Sequence, residues 1–304
     1  MECPKCTVAS PDENLFCEEC GQPLQELEPV PGCVCGAPLT EADEDGFCGR
    51  CGRRVRPRAT DRMEAELSRD LAAVSDRGIR HDRNEDRFAI RRFDNRTLLT
   101  VCDGVSASRE SELASSLAVE TIAESIAAGA ALEQAMRDAA EAVAKLGPPG
   151  NGDAPSTTAV AALVEGDIVT LAWVGDSRAY WIDDAGAHQL TNDHSWMNQT
   201  VAAGEMTMEQ AAASPRAHAI TKWFGADAED DGTAETTTFE IPGPGLLLLC
   251  TDGLWNYSPA LAATDESSLE LCRNLVDFAN RSGGRDNITV AALRLPPLVV
   301  NQKA

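Results

Sequence analysis

Short apolar runs that meet an aspartate at one end recur along this chain. Leu98 to Cys102 stops at Asp103-Gly104, and Leu246 to Thr251 stops at Asp252-Gly253. Leu171 to Val174 passes through Gly175 into Asp176. Asp286-Asn287 opens a run, Ile288 to Val290, and Asn84-Glu85-Asp86 precedes Phe88 to Ile90. Runs rich in Leu, Val and Ile predict buried strands. A single Asp-Gly is first of all a turn signal, and glycine lets the backbone turn sharply and bring its own carbonyl close to whatever the acid binds. If these strand ends meet, several carboxylates share one small volume. Two like charges ~4 Å apart repel by about 4 kcal/mol at an effective dielectric of about 20. Such a cluster takes up protons or holds cations, and all-oxygen donors favour magnesium or manganese.

The remaining pattern alternates between β and α. Leu71 to Gly78 predicts a strand and turn. A helix is expected from Glu110 to about Ala128, with Leu113, Leu117, Ile122 and Ile126 on one face and Gly129 ending it. A second helix follows from Leu132 to Lys145, stopped by Gly147-Pro-Pro-Gly. Ser156 to Val164 and Ile168 to Val174 flank a Glu-Gly-Asp turn and predict a hairpin. Arg178 to Ile182 and His188 to Thr191 continue an antiparallel sheet. Asp193 to Ala226, polar and alanine-rich, is expected as a mobile helical flap in which His194 and His218 are structural or exposed. Strands at Thr236 to Ile241, Gly245 to Cys250 and Ile288 to Leu295, and a helix at Glu266 to Ser282, complete the reading. Trp255 is expected in the core.

Composition changes the picture at the N-terminus. Eight of the eleven cysteines precede position 52. Cys3-x-x-Cys6 and Cys17-x-x-Cys20-Gly have four-thiolate zinc spacing. Cys33-x-Cys35-Gly and Cys48-x-x-Cys51-Gly form a second unit whose first pair is one residue short. Cys-Gly-x-Pro-Leu occurs in both units, an internal repeat. With few large apolar residues, metal binding would supply their folding energy. A pair of disulfides is the alternative for the first unit, and the absence of a secretory signal weighs against it. The units resemble double zinc-ribbon modules, which are structural or protein-binding, with two structural zinc ions.

The expected organisation is a ribbon at 1–27, a second at 28–57, a linker at 58–67, a main domain at 68–297 and a tail at 298–304. The formal net charge of -23 argues against nucleic acid as the main partner. Five arginines between Arg50 and Arg58 are read as a solvated linker. No apolar run reaches the roughly 20 residues that span a bilayer, so a cytoplasmic protein without membrane partners is expected.

An ordered set of motifs then becomes specific: Gly78-x-Arg-x-x-Arg-Asn-Glu-Asp86, Asp103-Gly104, Ser156-Thr-Thr-Ala, Gly175-Asp-Ser-Arg-Ala-Tyr180, Thr251-Asp-Gly-Leu-Trp255 and Asp286-Asn-Ile-Thr-Val290. Together they resemble the metal-dependent serine/threonine protein phosphatases, the type 2C family, over about Ser68 to Pro296. The resemblance implies an α+β fold: a four-layer α-β-β-α sandwich of two antiparallel sheets flanked by helices. It implies hydrolysis of phosphoserine and phosphothreonine in phosphorylated proteins by a water activated between two manganese or magnesium ions. By motif, Asp103 would bridge both ions, the Gly104 carbonyl would bind one, and Asp252 and Asp286 would hold the other. Glu85 would contact them through water, and Asp176 with Asp252 would give a third, looser site. Two departures from the family pattern stand out. His81 stands where relatives carry a phosphate-gripping arginine, so Arg80 or His81 takes that role. Ser106 ends the family's Asp-Gly-x-Gly, and Val105 stands where some relatives keep a histidine acid, so a water or His81 protonates the leaving oxygen. The alternative function is a catalytically silent phosphoprotein-binding module with a zinc-ribbon interaction arm.

Overall fold

The computed structural model describes residues 59–295 except 106–107, 109, 148–153, 229–232 and 263, together with 33, 35–38, 41–43, 46–52 and 55. Cys3, Cys6, Cys17, Cys20 and Ser106 lie outside the described residues. The chain divides into two units, Met1–Arg58 and Ala59–Ala304.

The second unit runs in chain order β1 (Arg62–Ser68), β2 (Leu71–Asp76), β3 (Arg87–Phe93), β4 (Arg96–Cys102), α1 (Ser111–Ala127), α2 (Leu132–Ala144), β5 (Ser156–Thr157), β6 (Ala159–Glu165), β7 (Ile168–Val174), β8 (Arg178–Asp183) and β9 (Gly186–Gln189). It continues with α3 (Trp196–Ala202), α4 (Met208–Ala212), β10 (Phe224–Gly225), β11 (Glu235–Glu240), β12 (Gly245–Cys250), α5 (Asp252–Trp255), α6 (Ser268–Ser282) and β13 (Ile288–Leu295). One sheet has the order β1-β2-β13-β12-β8-β9 and the other β11-β7-β6-β4-β3, with every pairing antiparallel.

Burial on both faces explains why the central strands read as unbroken apolar runs. On β4, Leu99 and Val101 face the opposite sheet, while Leu98 and Cys102 face α1 and α2. On β12, Leu247 and Leu249 point between the sheets, and Leu246, Leu248 and Cys250 meet α6. The result is the expected α-β-β-α sandwich. A capping box between Ser267 and Glu270 starts α6. Among the described residues, no helix is long and apolar enough to cross a membrane.

Two expectations are corrected. The segment expected as a linker contains β1, paired with β2 from Arg62↔Asp76 onward. As an edge strand it needs only one backbone partner, so it carries no strong apolar pattern. Leu113 is on the outside of α1, whose buried face is Ser111, Ala114, Ser115, Ala118, Val119, Ile122, Ala123 and Ile126.

In the first unit, Cys33, Cys35, Cys48 and Cys51 converge, with all four Sγ atoms within 4.8 Å of one another. Turns close behind each pair: Gly36 N–H donates to the Cys33 carbonyl and Gly52 N–H to the Cys48 carbonyl. Both glycines have positive φ, 81° and 70°.

Candidate active site

The strand ends do meet. Asp103 follows β4, Asp176 follows β7, Asp252 follows β12 through Thr251, Asp286 sits just before β13, and Glu85 and Asp86 sit before β3. All lie at the same end of the sandwich. Their mutual electrostatics record the proximity. Burial, then the charges of Asp86, Asp252, Asp286 and Asp176, pushes the Asp103 carboxyl well above the usual range. Burial and Asp286 push Asp252 up to about 6, against hydrogen bonds from Asp103 and Asn256. Burial, then Asp252 and Asp193, raises Asp176.

Backbone anchoring fixes each acid. The Asp103 carbonyl accepts from Thr157 Oγ1 at 2.8 Å and from Thr158 N at 2.8 Å. Gly104 pairs with Thr157, and a Cβ there would lie 2.7 Å from the Glu85 carbonyl oxygen. At Gly253 a Cβ would lie 1.9 Å from the Asn287 carbonyl oxygen. Only glycine lets these strand ends close together. Ser111 Oγ donates to Glu85 Oε1 at 2.6 Å.

Asp176 is braced from two sides. Trp255 Nε1–H donates to its carbonyl at 3.0 Å. Arg178 lies 3.6 Å over the Trp255 ring and makes a bidentate bond to Asp193. His194, buried, accepts from Gly175 N–H through Nδ1 at 3.0 Å, and its Nε2 is 3.0 Å from Glu235 Oε1. His194 is therefore structural, and Trp255 belongs to the core. The Asp193 to Ala226 segment holds α3 and α4 and is closed at its base by Trp196 N–H to the Ala219 carbonyl.

Two contributors were absent from the candidate residues. Asp86 is fully buried, and its Oδ2 accepts from Thr251 Oγ1 at 2.9 Å and Thr289 Oγ1 at 2.8 Å. It ties together the strand ends that present Asp252 and Asp286. Burial foremost, with Asp286 and Asp252 adding to it against the two threonine bonds, pushes its carboxyl up to about 8. Asn287 accepts from Glu85 N–H at 2.7 Å and donates to the carbonyls of Arg77 and Arg83 at 2.8 and 2.9 Å. The signal for both was their place inside the Asn-Glu-Asp and Asp-Asn motifs.

Arg80 and His81 separate. His81 Nε2 is 3.3 Å from Asp286 Oδ1, beside the cluster. The Arg80 side chain is exposed, its backbone N–H bound to the Gly284 carbonyl.

The site fits hard divalent cations. Its donors are all oxygen, and the buried Asp252 Oδ1 has no hydrogen-bond partner among the described residues. The cysteine cluster fits a different ion. Cys33 and Cys51 Sγ are 3.3 Å apart and Cys35 and Cys48 Sγ 3.6 Å. A tetrahedral zinc with bonds of about 2.3 Å has edges of about 3.8 Å. Backbone N–H groups of Arg50 and Cys51 lower the Cys48 thiol to about 7, toward the thiolate a metal needs.

Comparison with known proteins places this geometry. A family model described as Protein phosphatase 2C matches residues 78–290. "Serine/threonine phosphatase stp" of Listeria welshimeri is 32% identical over 235 residues, covering 71% of this chain and 92% of its own. The S. agalactiae serine/threonine phosphatase structure superposes with a TM-score of 0.64 at 25% identity, over 73% of this chain and 98% of that one. The catalytic domain of the serine threonine protein phosphatase PstP, a complex with 2 manganese ions, gives a TM-score of 0.57 at 26% identity, over 74% and 97%. With its sandwich, its converging acids and these relatives, the chain belongs to the protein phosphatase 2C family.

Proposed function

We propose that this protein hydrolyses phosphoserine and phosphothreonine in proteins with the help of two manganese or magnesium ions. The observation that carries it is the convergence of Asp103, Asp252 and Asp286 from separate strand ends into one site with an unpartnered buried oxygen on Asp252. Asp103 would be shared by both ions, with the Gly104 carbonyl on one, Asp252 and Asp286 on the other, and Glu85 reaching them through water. Asp176 with Asp252 would hold a third. Bound there, the divalent ions supply a lowered pKa for water and charge neutralisation at the phosphoryl oxygens.

The chain's own residues orient the rest. Asn287 holds the Glu85 backbone, and Asp86 clamps the strand ends behind the acids. Arg80, whose side chain is exposed, takes the phosphoryl dianion. His81, beside Asp286, or a water protonates the leaving seryl or threonyl oxygen. The Cys33/Cys35/Cys48/Cys51 set holds a structural zinc, and the first cysteine unit a second. Closed four-thiolate sites do no chemistry and serve partner docking or regulation.

Phosphate release from a phosphothreonine peptide with manganese tests the reading. Asp252→Ala should lose more than about a hundredfold, since even outer-shell partners of a metal ligand are worth 10–100-fold. Peptide binding without any phosphate release by the folded wild type would refute hydrolysis.

A further inference from the structure

The backbone around Glu85 is pinned on both sides. Its N–H donates to Asn287 Oδ1 at 2.7 Å, and its carbonyl accepts from Ser115 Oγ at 2.5 Å. Arg87 Nη1 donates to the flanking carbonyls, Asn84 at 2.9 Å and Asp86 at 2.6 Å, while Arg87 Nη2 reaches Glu112 on α1 at 2.5 Å. The segment is thereby tied to the start of β13 and to α1. Fixing the backbone does not fix the carboxylate, because a glutamate side chain turns about several bonds of its own.

One bond addresses the carboxylate itself. Ser111 Oγ donates to Glu85 Oε1 at 2.6 Å. A hydroxyl donating to a carboxylate at that length is among the stronger hydrogen bonds. Ser111 is fully buried, as is Ser115 one turn further on, so bulk water does not compete for the hydroxyl.

The place of Ser111 in the fold is unusual in a second way. It opens α1, which starts without a side-chain cap. Glu110 enters the helix at φ 52°, a left-handed geometry uncommon outside glycine. Backbone strain of that kind gathers at functional sites. A Cβ on Gly104 would lie 2.8 Å from the Ser111 carbonyl oxygen and 2.7 Å from that of Glu85. Ser111 therefore packs on the backbone of Gly104 and bonds the carboxylate of Glu85. These are groups that the proposed site gives to the ions, and they come from different strand ends.

We infer that Ser111 is a positioning residue of the metal centre, its hydroxyl holding the Glu85 carboxylate in the orientation from which it serves the divalent ions. The inference rests on the phosphatase reading and adds to it a residue that acts through Glu85.

A double-mutant cycle on the full chain tests it. Free manganese, followed by its electron paramagnetic resonance signal during titration, gives a dissociation constant that needs no turnover. Ser111→Ala should weaken manganese binding about tenfold, the low end for an outer partner of a metal site. In a Glu85→Ala background the same change should alter binding less than about twofold, because the group it acts through is gone. Ser111→Gly, which also removes the hydroxyl, takes its place should the alanine variant not fold. Equal weakening in both backgrounds would mean that the hydroxyl supports the fold at large and not Glu85. An unchanged constant in Ser111→Ala would mean that it does nothing for the site. Either result overturns the inference, and if the wild type still hydrolyses p-nitrophenyl phosphate with manganese, the phosphatase reading survives it. A wild type that neither binds manganese nor releases phosphate removes both.

Discussion

The cysteine cluster of the first unit and the carboxylate cluster of the second are both built from groups that repel one another when ionised, yet they stand in opposite relation to folding. Around the thiols, the described buried apolar residues amount to Cys33, Ala37 and Cys48, with Val55 packed beside them. On the proposed zinc reading, an ion would supply folding energy that so small a described core does not. The carboxylates sit at the rim of a sandwich with three apolar layers of its own. There the fold holds the acids together against their repulsion, and an ion relieves a cost already borne. On the proposed reading, one cluster would need metal to exist, the other to act.

The contrast breaks most visibly at Asp103. Asp103→Asn should reduce manganese-dependent phosphate release more than about a hundredfold, while the metal-free protein becomes more stable by about 1–2 kcal/mol as one mutually repelling charge is lost. A lower melting temperature for the metal-free variant would mean the acids are not under strain. Next in size is the double change Cys48→Ser with Cys51→Ser. One zinc equivalent should disappear by elemental analysis, together with protease resistance around residues 33–55, and p-nitrophenyl phosphate hydrolysis should persist. Loss of hydrolysis in step with zinc would erase the distinction between the clusters.

A smaller effect concerns pH. Asp86, at about 8, and Asp252, at about 6, hold protons more tightly when folded than in the unfolded chain. The folded state then carries more protons between the ordinary carboxylate range and those values, so stability falls as pH rises through that window. Urea midpoints of the metal-free protein should drop between about pH 5 and about pH 8, and manganese should restore them at the upper end. A midpoint that climbs over this range contradicts the assignment. The mildest probe is Trp255→Phe, which keeps the ring under Arg178 but removes the N–H bonded to the Asp176 carbonyl. A few-fold rise in the manganese concentration needed for full activity is expected. An unchanged manganese dependence would remove Trp255 from the positioning of Asp176.

Much of this architecture was legible from local pattern. The buried strands announced themselves because both faces are covered, and α1, α2 and α6 were placed to within two residues by periodicity and by breakers such as Gly129. The edge strand β1 was not legible, since half of what holds it is backbone bonding to β2. Leu113 was misplaced because an apolar residue at helical spacing fits either side of a helix whose buried positions are mostly small. Asp86 was legible only as a member of the Asn84-Glu85-Asp86 motif, and its burial among Thr251 and Thr289 depends on residues 165 and 203 positions away.

By itself the sequence determined which residues end the strands, that acids follow them, and that thiols recur at metal-binding spacing, because these are matters of residue type and short-range geometry. Only the tertiary structure decided that His81 rather than Arg80 lies against Asp286, that Asp86 is the clamp, and that Leu113 is left exposed on α1. Those outcomes follow from distances between segments far apart in the chain, which no local pattern of side chains encodes.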